Sequence, residues 1–175
     1  MEMEPTGKPA AAGGERKTCG ASRSIMTQLV FPQDTNHHGT MFGGKVMEYI
    51  DKLAAIAAMR HSARQVVTAS SDSLDFLAPI RLGEVIVVEA FVTWTNRSSM
   101  EVYVKVRAED PVTGESRITV TSFLTFVALD EGGRPCPVPE AYPETDEEKR
   151  LHASAKERFG LRMKRKLDRK NESRL

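Results

Sequence analysis

The sequence predicts an α+β fold, with one long helix laid on a curved antiparallel sheet and a further helix at the C-terminal end. Three observations carry this. An apolar period of about 3.6 residues runs from 42 to 60, strand-like segments follow it, and the links between the last three strands are of hairpin length. With 175 residues, 40 % of them apolar, the chain supports one domain with a real core.

Residues 1–22 mix Gly, Pro, Ala, Lys and Glu without period or apolar bulk and read as a disordered tail. Residues 26–31 (MTQLVF) read as a short strand. In the helix, Phe42, Val46, Ile50, Leu53, Ala54 and Ala57 share one face, and Lys45, Glu48 and Lys52 the opposite one. Asp51 falls at the margin of the apolar arc, beside Met47 and Ala58, where an acid is partly desolvated and still faces a cleft. Residues 66–77 are β-branched and small and close at Pro79. Residues 84–94 are almost continuously apolar. Residues 100–108 alternate, with Met100, Val102, Val104 and Val106 against Glu101, Tyr103, Lys105 and Arg107. Residues 117–129 alternate through Ile118, Val120, Leu124 and Phe126, while Phe123 and Val127 make the other face apolar too. The links at 95–99 and 110–115 make these strands antiparallel neighbours. Residues 130–142 are rich in Pro and Gly and irregular. Thr145 and Glu148 form a capping box that opens a helix over 146–166, whose end is basic: Arg162, Lys164, Arg165, Lys166, Arg169, Lys170. Because the strand at 84–94 is apolar on both faces and one helix covers only one, the sequence predicts that a second subunit covers part of the rest.

Several function classes lose support. A net charge of +1 gives no general pull toward nucleic acid or membrane. No apolar run reaches the roughly 18 residues of a membrane span, and the N-terminal residues lack a signal-peptide core. Cys19 and Cys136 have neither metal-ligand spacing nor the density of a disulfide scaffold, which fits a reducing cytoplasm.

Chemistry concentrates in residues 32–51, PQDTNHHGTMFGGKVMEYID. Asp34, Thr35, Asn36, His37 and His38 precede Gly39, Gly43 and Gly44, and Asp51 lies two turns into the helix. A glycine pair at a helix start exposes N–H groups suited to an oxyanion or a phosphate. The adjacent histidines diverge and lack a third ligand at zinc spacing, so no metal site is predicted. No Gly-x-Ser-x-Gly elbow supports a serine hydrolase.

The run P-x-D-T-N-x-x-G-T-x-F-G-G-x-x-M-x-x-x-D resembles the signature of hotdog-fold acyl-CoA thioesterases, in particular the cytosolic acyl-CoA hydrolases of brain and bacteria. The resemblance continues through VVTASSDSLDFLAPIRLGE, RSSMEVYVKV and SFLTFVALDEGGRPCPVPE and covers roughly residues 24–145. Asn96 and Ser98 stand where that family tends to have Gly and Thr, and Ser71 where a small apolar residue is common.

The resemblance implies a hotdog domain over 23–142, between the tail at 1–22 and a C-terminal helix with a basic tail at 143–175. It implies that two protomers form one continuous sheet with active sites at the dimer interface, often as a hexameric trimer of dimers. The implied activity is cytoplasmic hydrolysis of acyl-CoA to fatty acid and CoA. Coenzyme A is part of the substrate, no separate cofactor or metal is needed, and neither nucleic acid nor membrane is a partner. Asn36 and Asp51 are the implied catalytic pair, from opposite protomers, with Asp51 as general base or as nucleophile and Asn36 holding the water or the carbonyl. The amides of Gly43 and Gly44 would meet the oxyanion. His38, Thr40, Ser70, Ser71, Asp72, Arg97, Ser98 and Ser99 are the implied contacts to substrate and CoA, with Arg97 placed for a phosphate. Plain roles compete: a surface acid for Asp51, a turn-forming Asn36, close packing at the glycines, a solvated Arg97, and a solvated basic face on the last helix. Two other functions fit the same fold: an acyl-thioester hydratase or dehydratase with His37 or His38 as base, and a non-catalytic acyl-CoA sensor.

Overall fold

A computed structural model of the protein describes residues 15–172. Helix α1 spans Gly43–Ser62 and buries Val46, Ile50, Leu53, Ala54, Ala57 and Ala58, the stripe that the 3.6-residue period predicts. Phe42 departs from it: it is the N-cap residue and 52 % exposed. On the opposite side Lys45 and Lys52 bracket Glu48 at 3.0 and 2.5 Å, pairs that support an exposed helix face. The helix ends where Ala63 turns left-handed at φ +52°, and Lys17 places its ammonium on the carbonyls of Arg60 (2.5 Å) and His61 (3.3 Å), where the helix dipole favours a cation.

After β1 (Arg16–Thr18) and β2 (Ser24–Leu29) come α1, β3 (Gln65–Phe76), β4 (Val85–Thr95), β5 (Ser99–Glu109), β6 (Ser116–Leu129), β7 (Glu140–Tyr142) and α2 (Asp146–Glu172). Five strands form an antiparallel sheet in the order β2-β4-β5-β6-β3, so β3 is an edge. This is the hotdog arrangement, with α1 packed against β4 and its neighbours. Val92, Val102 and Leu124 stand in register on the α1 side of the sheet. By alternation Phe91, Tyr103 and Phe123 stand on the outer side, where the α2 guanidinium of Arg158 lies 4.0 Å from the Phe123 ring and Phe159 meets Trp94 at 5.3 Å.

Three expectations are corrected. Residues 15–22, placed in the disordered tail, are ordered: β1 pairs in parallel with β7, Cys19 is buried, and the Ser22 hydroxyl accepts from the Val92 amide at 2.8 Å. Backbone pairing holds this segment, so composition carried no sign of it; residues 1–14 of the predicted tail lie outside the described residues. Helix α2 runs to Glu172, past the predicted end at 166. The outer face of β4 is covered by its own chain: the His152 ring bonds the Thr93 carbonyl at 2.8 Å and Arg23 lies 4.1 Å over Phe91. Two-sided burial of β4 is thus no argument for a partner.

The predicted capping box is present. Thr145 Oγ1 accepts from the Glu148 amide and Glu148 Oε2 from the Thr145 amide, both at 3.2 Å. Burial would raise the Glu148 carboxyl, but the amides of Glu144 and Thr145 and the guanidinium of Arg23 outweigh it and hold it below its usual value. Arg23 also pairs with Glu89.

Candidate active site

The segment before α1 is stitched into place by its own polar groups. Asn36 Oδ1 accepts from the His38 amide at 2.9 Å, and Asn36 Nδ2 donates to Thr40 Oγ1 at 3.1 Å. The Asn36 amide donates to the Thr40 carbonyl at 2.8 Å, closing a loop that Gly39 enters at φ +71°, a conformation glycine reaches without strain. The loop is anchored from outside: Met41 N donates to Ile80 O and Leu82 N to Gly39 O. The segment at 79–84 is itself fixed by Glu84, which takes both Arg117 guanidinium nitrogens (2.8 and 3.0 Å) and the Arg81 amide. Burial acts to raise the Glu84 carboxyl, and these donors overcome it and hold it low.

This loop delivers the chain to the first turn of α1. Phe42 offers no side-chain acceptor there, so the leading amides of Gly43 and Gly44 point out of the helix end without a cap. A cavity of about 430 Å³ opens beside Gly43, lined also by Thr40, Met41, Val46, Phe76 and Ile80 and largely apolar. The Phe76 ring packs so near Gly43 that a Cβ there would lie 3.2 Å from it, while a Cβ at Gly44 would meet nothing within 4 Å.

Asp51 is exposed in the protomer. The chain reverses at Ala63, β3 runs back along α1, and Thr68 Oγ1 donates to Asp51 Oδ1 at 2.9 Å. Asn36 and Asp51, the pair implied by the resemblance, make their bonds to Thr40 and Thr68 and not to each other. His37 and His38 are exposed with rings 3.8 Å apart, and no cluster of three metal-binding side chains occurs among the described residues.

Of the residues implied for substrate and CoA, Thr40 lines the cavity beside Gly43 and His38 is exposed, while the other six separate into two groups. Ser70, Ser71, Asp72 and Ser99 line one cavity of about 360 Å³ between β3 and α2. Arg97 and Ser98 stand in the β4–β5 turn and do not line it; Arg97 is exposed, and both give their carbonyls to the 130–142 segment and β6, accepting from Val138 and Ala128. The cations in the cavity come from α2 instead: Arg162 and Arg165 reach Asp72 at 2.6 and 3.3 Å. Sequence reasoning passed over Thr68 and Phe76. The signal for Thr68 was its place on the strand that returns along α1.

Residues 38–115 match the thioesterase superfamily. The chain is 53 % identical, over 87 % of its own length and 88 % of the other, to the uncharacterized acyl-CoA thioester hydrolase YkhA of Bacillus subtilis (strain 168). It belongs to that family of acyl-CoA hydrolases. The fold of this hydrolase is shared with acyl-CoA hydrolase from Staphylococcus aureus, solved with butyryl coenzyme A, at TM-score 0.88 and 45 % identity over 91 % of this chain and 97 % of that one. A hexameric acyl-CoA thioesterase aligns at TM-score 0.85 and 52 % identity over 86 % and 97 %. The cytosolic acyl coenzyme A thioester hydrolase of Rattus norvegicus is 40 % identical over 87 % of this chain, which spans 40 % of that longer protein. No helix among the described residues is long and apolar enough to cross a membrane.

Proposed function

We propose that the hydrolase cleaves acyl-CoA by water attack at the first turn of α1, with Asp51 as the base. The observation that carries this reading is the uncapped Gly43–Gly44 turn opening on an apolar cavity. A thioester carbonyl set there receives N–H donors and the positive end of a 20-residue helix, and its acyl chain enters the cavity. Asp51 takes a proton from water as its oxygen bonds to the carbonyl carbon. The tetrahedral oxyanion is held by the Gly43 and Gly44 amides of the protomer opposite the one that supplies Asp51, because seven residues of helix, roughly 10 Å, part them within one chain. Collapse breaks the C–S bond, and the proton on Asp51 passes to the leaving thiolate, giving fatty acid and CoA. Thr68 fixes the carboxylate rotamer. Coenzyme A enters as part of the substrate, and the steps need no other cofactor.

Asp51 is open on its outer side, and we place the Asn36 loop of a second protomer there. Edge strand β3 leaves Val67 and Phe76 exposed, with Leu77 just past its end and Met47 of α1 exposed too, and such an edge is suited to pairing of two β3 strands into one sheet. The proposed assembly is a homo-oligomer with sites at that dimer interface, arranged as a trimer of dimers; a relative solved as a hexamer supports the oligomer. The cytoplasm is the proposed compartment, in keeping with free Cys19 and Cys136 and a relative named cytosolic. Support for the residues also comes from variants of the S. aureus enzyme solved with Ala in place of an Asn, an Asp and a Thr. Their separations of 15 and 17 positions match those of Asn36, Asp51 and Thr68.

The test is thiol release from acyl-CoAs of acetyl to palmitoyl length, with Asp51→Asn in parallel. Chain-length-dependent release that disappears in the variant is expected. Release undiminished in Asp51→Asn would remove Asp51 from the mechanism, and binding without release from any acyl-CoA would make the protein a sensor.

A further inference from the structure

Helix α2 lies beyond residues 38–115 and supplies no group to the steps above, yet its turns are pinned to one strand of the sheet after another. The His152 ring bonds the Thr93 carbonyl of β4 at 2.8 Å. Arg158 donates to the Glu101 carboxylate of β5 at 2.7 and 2.9 Å. Arg162 and Arg165 reach past β6 to Asp72 of the edge strand β3. That last pin falls where the edge is weakest. In the protomer β3 has β6 as its only strand neighbour, and the ladder between them skips Ala69 and Asp72. Side chains take the place of the missing ladder bonds. Asp72 Oδ1 accepts from Ser70 Oγ (2.9 Å) and Arg165 (3.3 Å), and Oδ2 from Thr125 Oγ1 (3.0 Å) and Arg162 (2.6 Å). Arg165 also donates to the Asp72 carbonyl at 3.2 Å, and Ser122 Oγ to the Ser73 carbonyl at 2.6 Å. Four donors use the acceptor capacity of a carboxylate. The Asp72 side chain, 6 % exposed, is therefore engaged within the protein and has no lone pair left for a ligand.

We propose that α2 is a strut for the active site, with Arg162, Arg165 and Asp72 as positioning residues that fix β3 and, through Thr68, the Asp51 carboxylate. The proposal rests on the hydrolase reading with Asp51 as base. Thr68 stands four residues before Asp72, roughly 13 Å along the strand, with the first bulge between them. On the α1 side of that bulge Thr68 Oγ1 donates to Asp51 Oδ1 at 2.9 Å. A bulged edge slides and twists more freely than one held in register, and a hydrogen bond weakens steeply as its donor leaves the line. Misplacement by about 1 Å far from the chemistry is enough to slow a reaction up to roughly 10²-fold. Here the loss is bounded because it passes through one hydroxyl. It does not exceed the loss from removing that hydroxyl, roughly tenfold. Arg162 is the main pin, with the shortest contact and a side chain 13 % exposed; Arg165, half exposed, adds less.

The experiment measures kcat and KM of the full chain for an acyl-CoA and for the acyl-pantetheine of the same acyl length, which has the thioester but neither nucleotide nor phosphate. The variants are Arg162→Gln, Arg162→Lys and Arg165→Gln, with Arg162→Gln also combined with Thr68→Val. The expected result is a kcat lowered roughly three- to tenfold in Arg162→Gln and less in Arg165→Gln, alike for both substrates, with both KM values unmoved. Arg162→Lys restores most of the rate, because a single N–H on Asp72 Oδ2 is a contact that an ammonium also makes. With Thr68→Val already in place, Arg162→Gln costs nothing further. A KM raised for acyl-CoA alone overturns the proposal, since the guanidinium would then be a substrate contact. An unchanged kcat with a lowered melting point overturns it as well, leaving α2 a support of the fold alone. So does a fully additive loss with Thr68→Val, or break-up of the oligomer in gel filtration. Failure of the hydrolase reading looks different: the unaltered protein releases no thiol from either substrate, and the strut then has no reaction to serve.

Discussion

Removing the Thr68 hydroxyl isolates what the β3 contact does for Asp51. Thr68→Val keeps the shape and deletes the Thr68 donor to Asp51 Oδ1, at 2.9 Å. A hydrogen bond to a charged group contributes about 1.5–3 kcal/mol; because both residues are exposed in the protomer, the lower end applies. At about 1.4 kcal/mol per factor of ten, turnover falls roughly tenfold. The assay is thiol release under saturating acyl-CoA for four proteins: unaltered, Thr68→Val, Asp51→Asn and the double variant. Asp51→Asn loses roughly 10²–10⁴-fold, the worth of a general base. If Thr68 acts only through Asp51, the double variant is no slower than Asp51→Asn, because the carboxylate to be oriented has gone. Thr68→Ser restores most of the loss. Turnover at the unaltered level in Thr68→Val, or a full additive loss in the double variant, would refute the reasoning.

Further outcomes follow from the rest of the molecule. Arg158→Met strands the Glu101 carboxylate, whose side chain is fully buried and held by Arg158 at 2.7 and 2.9 Å and Thr93 at 2.7 Å; a loss of about 3–5 kcal/mol is expected, seen as a melting point lower by roughly 6–20 °C. Glu101→Leu with Arg158→Met recovers most of that loss. His61 is buried; desolvation pulls its pKa below the usual 6.5, partly opposed by its bond to the Pro139 carbonyl at 3.0 Å. The folded state therefore resists a proton that the unfolded chain accepts: its contribution is complete above pH 6.5 and is lost as pH falls through 6.5 toward the lowered folded value. The slope is up to about 1.4 kcal/mol per pH unit, and urea midpoints at pH 7.5 and 5.5, compared with those of His61→Gln, measure it. Gly44→Ala, with open space around the added methyl, raises stability by about 0.5–1 kcal/mol in thermal melts, whereas Gly43→Ala, pressed against Phe76, does not.

What the sequence made legible was whatever depends on local period. The α1 stripe, the alternation in β5, the hairpins flanking it and the Thr145–Glu148 box each follow from spacing within one element, and each is present. The misses depend on distant backbone. The parallel pairing of Arg16–Thr18 with Glu140–Tyr142 joins segments that carry no apolar period of their own. Site residues divide the same way. Asn36, Gly43, Gly44 and Asp51 stand out because they crowd into 16 positions, but Thr68 and Arg162 become meaningful only when β3 and α2 are in place.

The β3 strand is where these threads meet. A strand with no task but to close a sheet would run in register along β6, yet β3 breaks register between Thr68 and Ser70 and again between Ser71 and Ser73. Each break frees backbone from the ladder and costs pairing, a cost that natural sheets carry where a side chain must be re-aimed. Here the re-aimed residues are Ser70, facing Thr125, and Asp72, which gathers two arginines from α2. On the near side of the first bulge Thr68 holds Asp51. The irregular edge thus presents a carboxylate contact to one face of the sheet and a cationic cavity to the other within five residues.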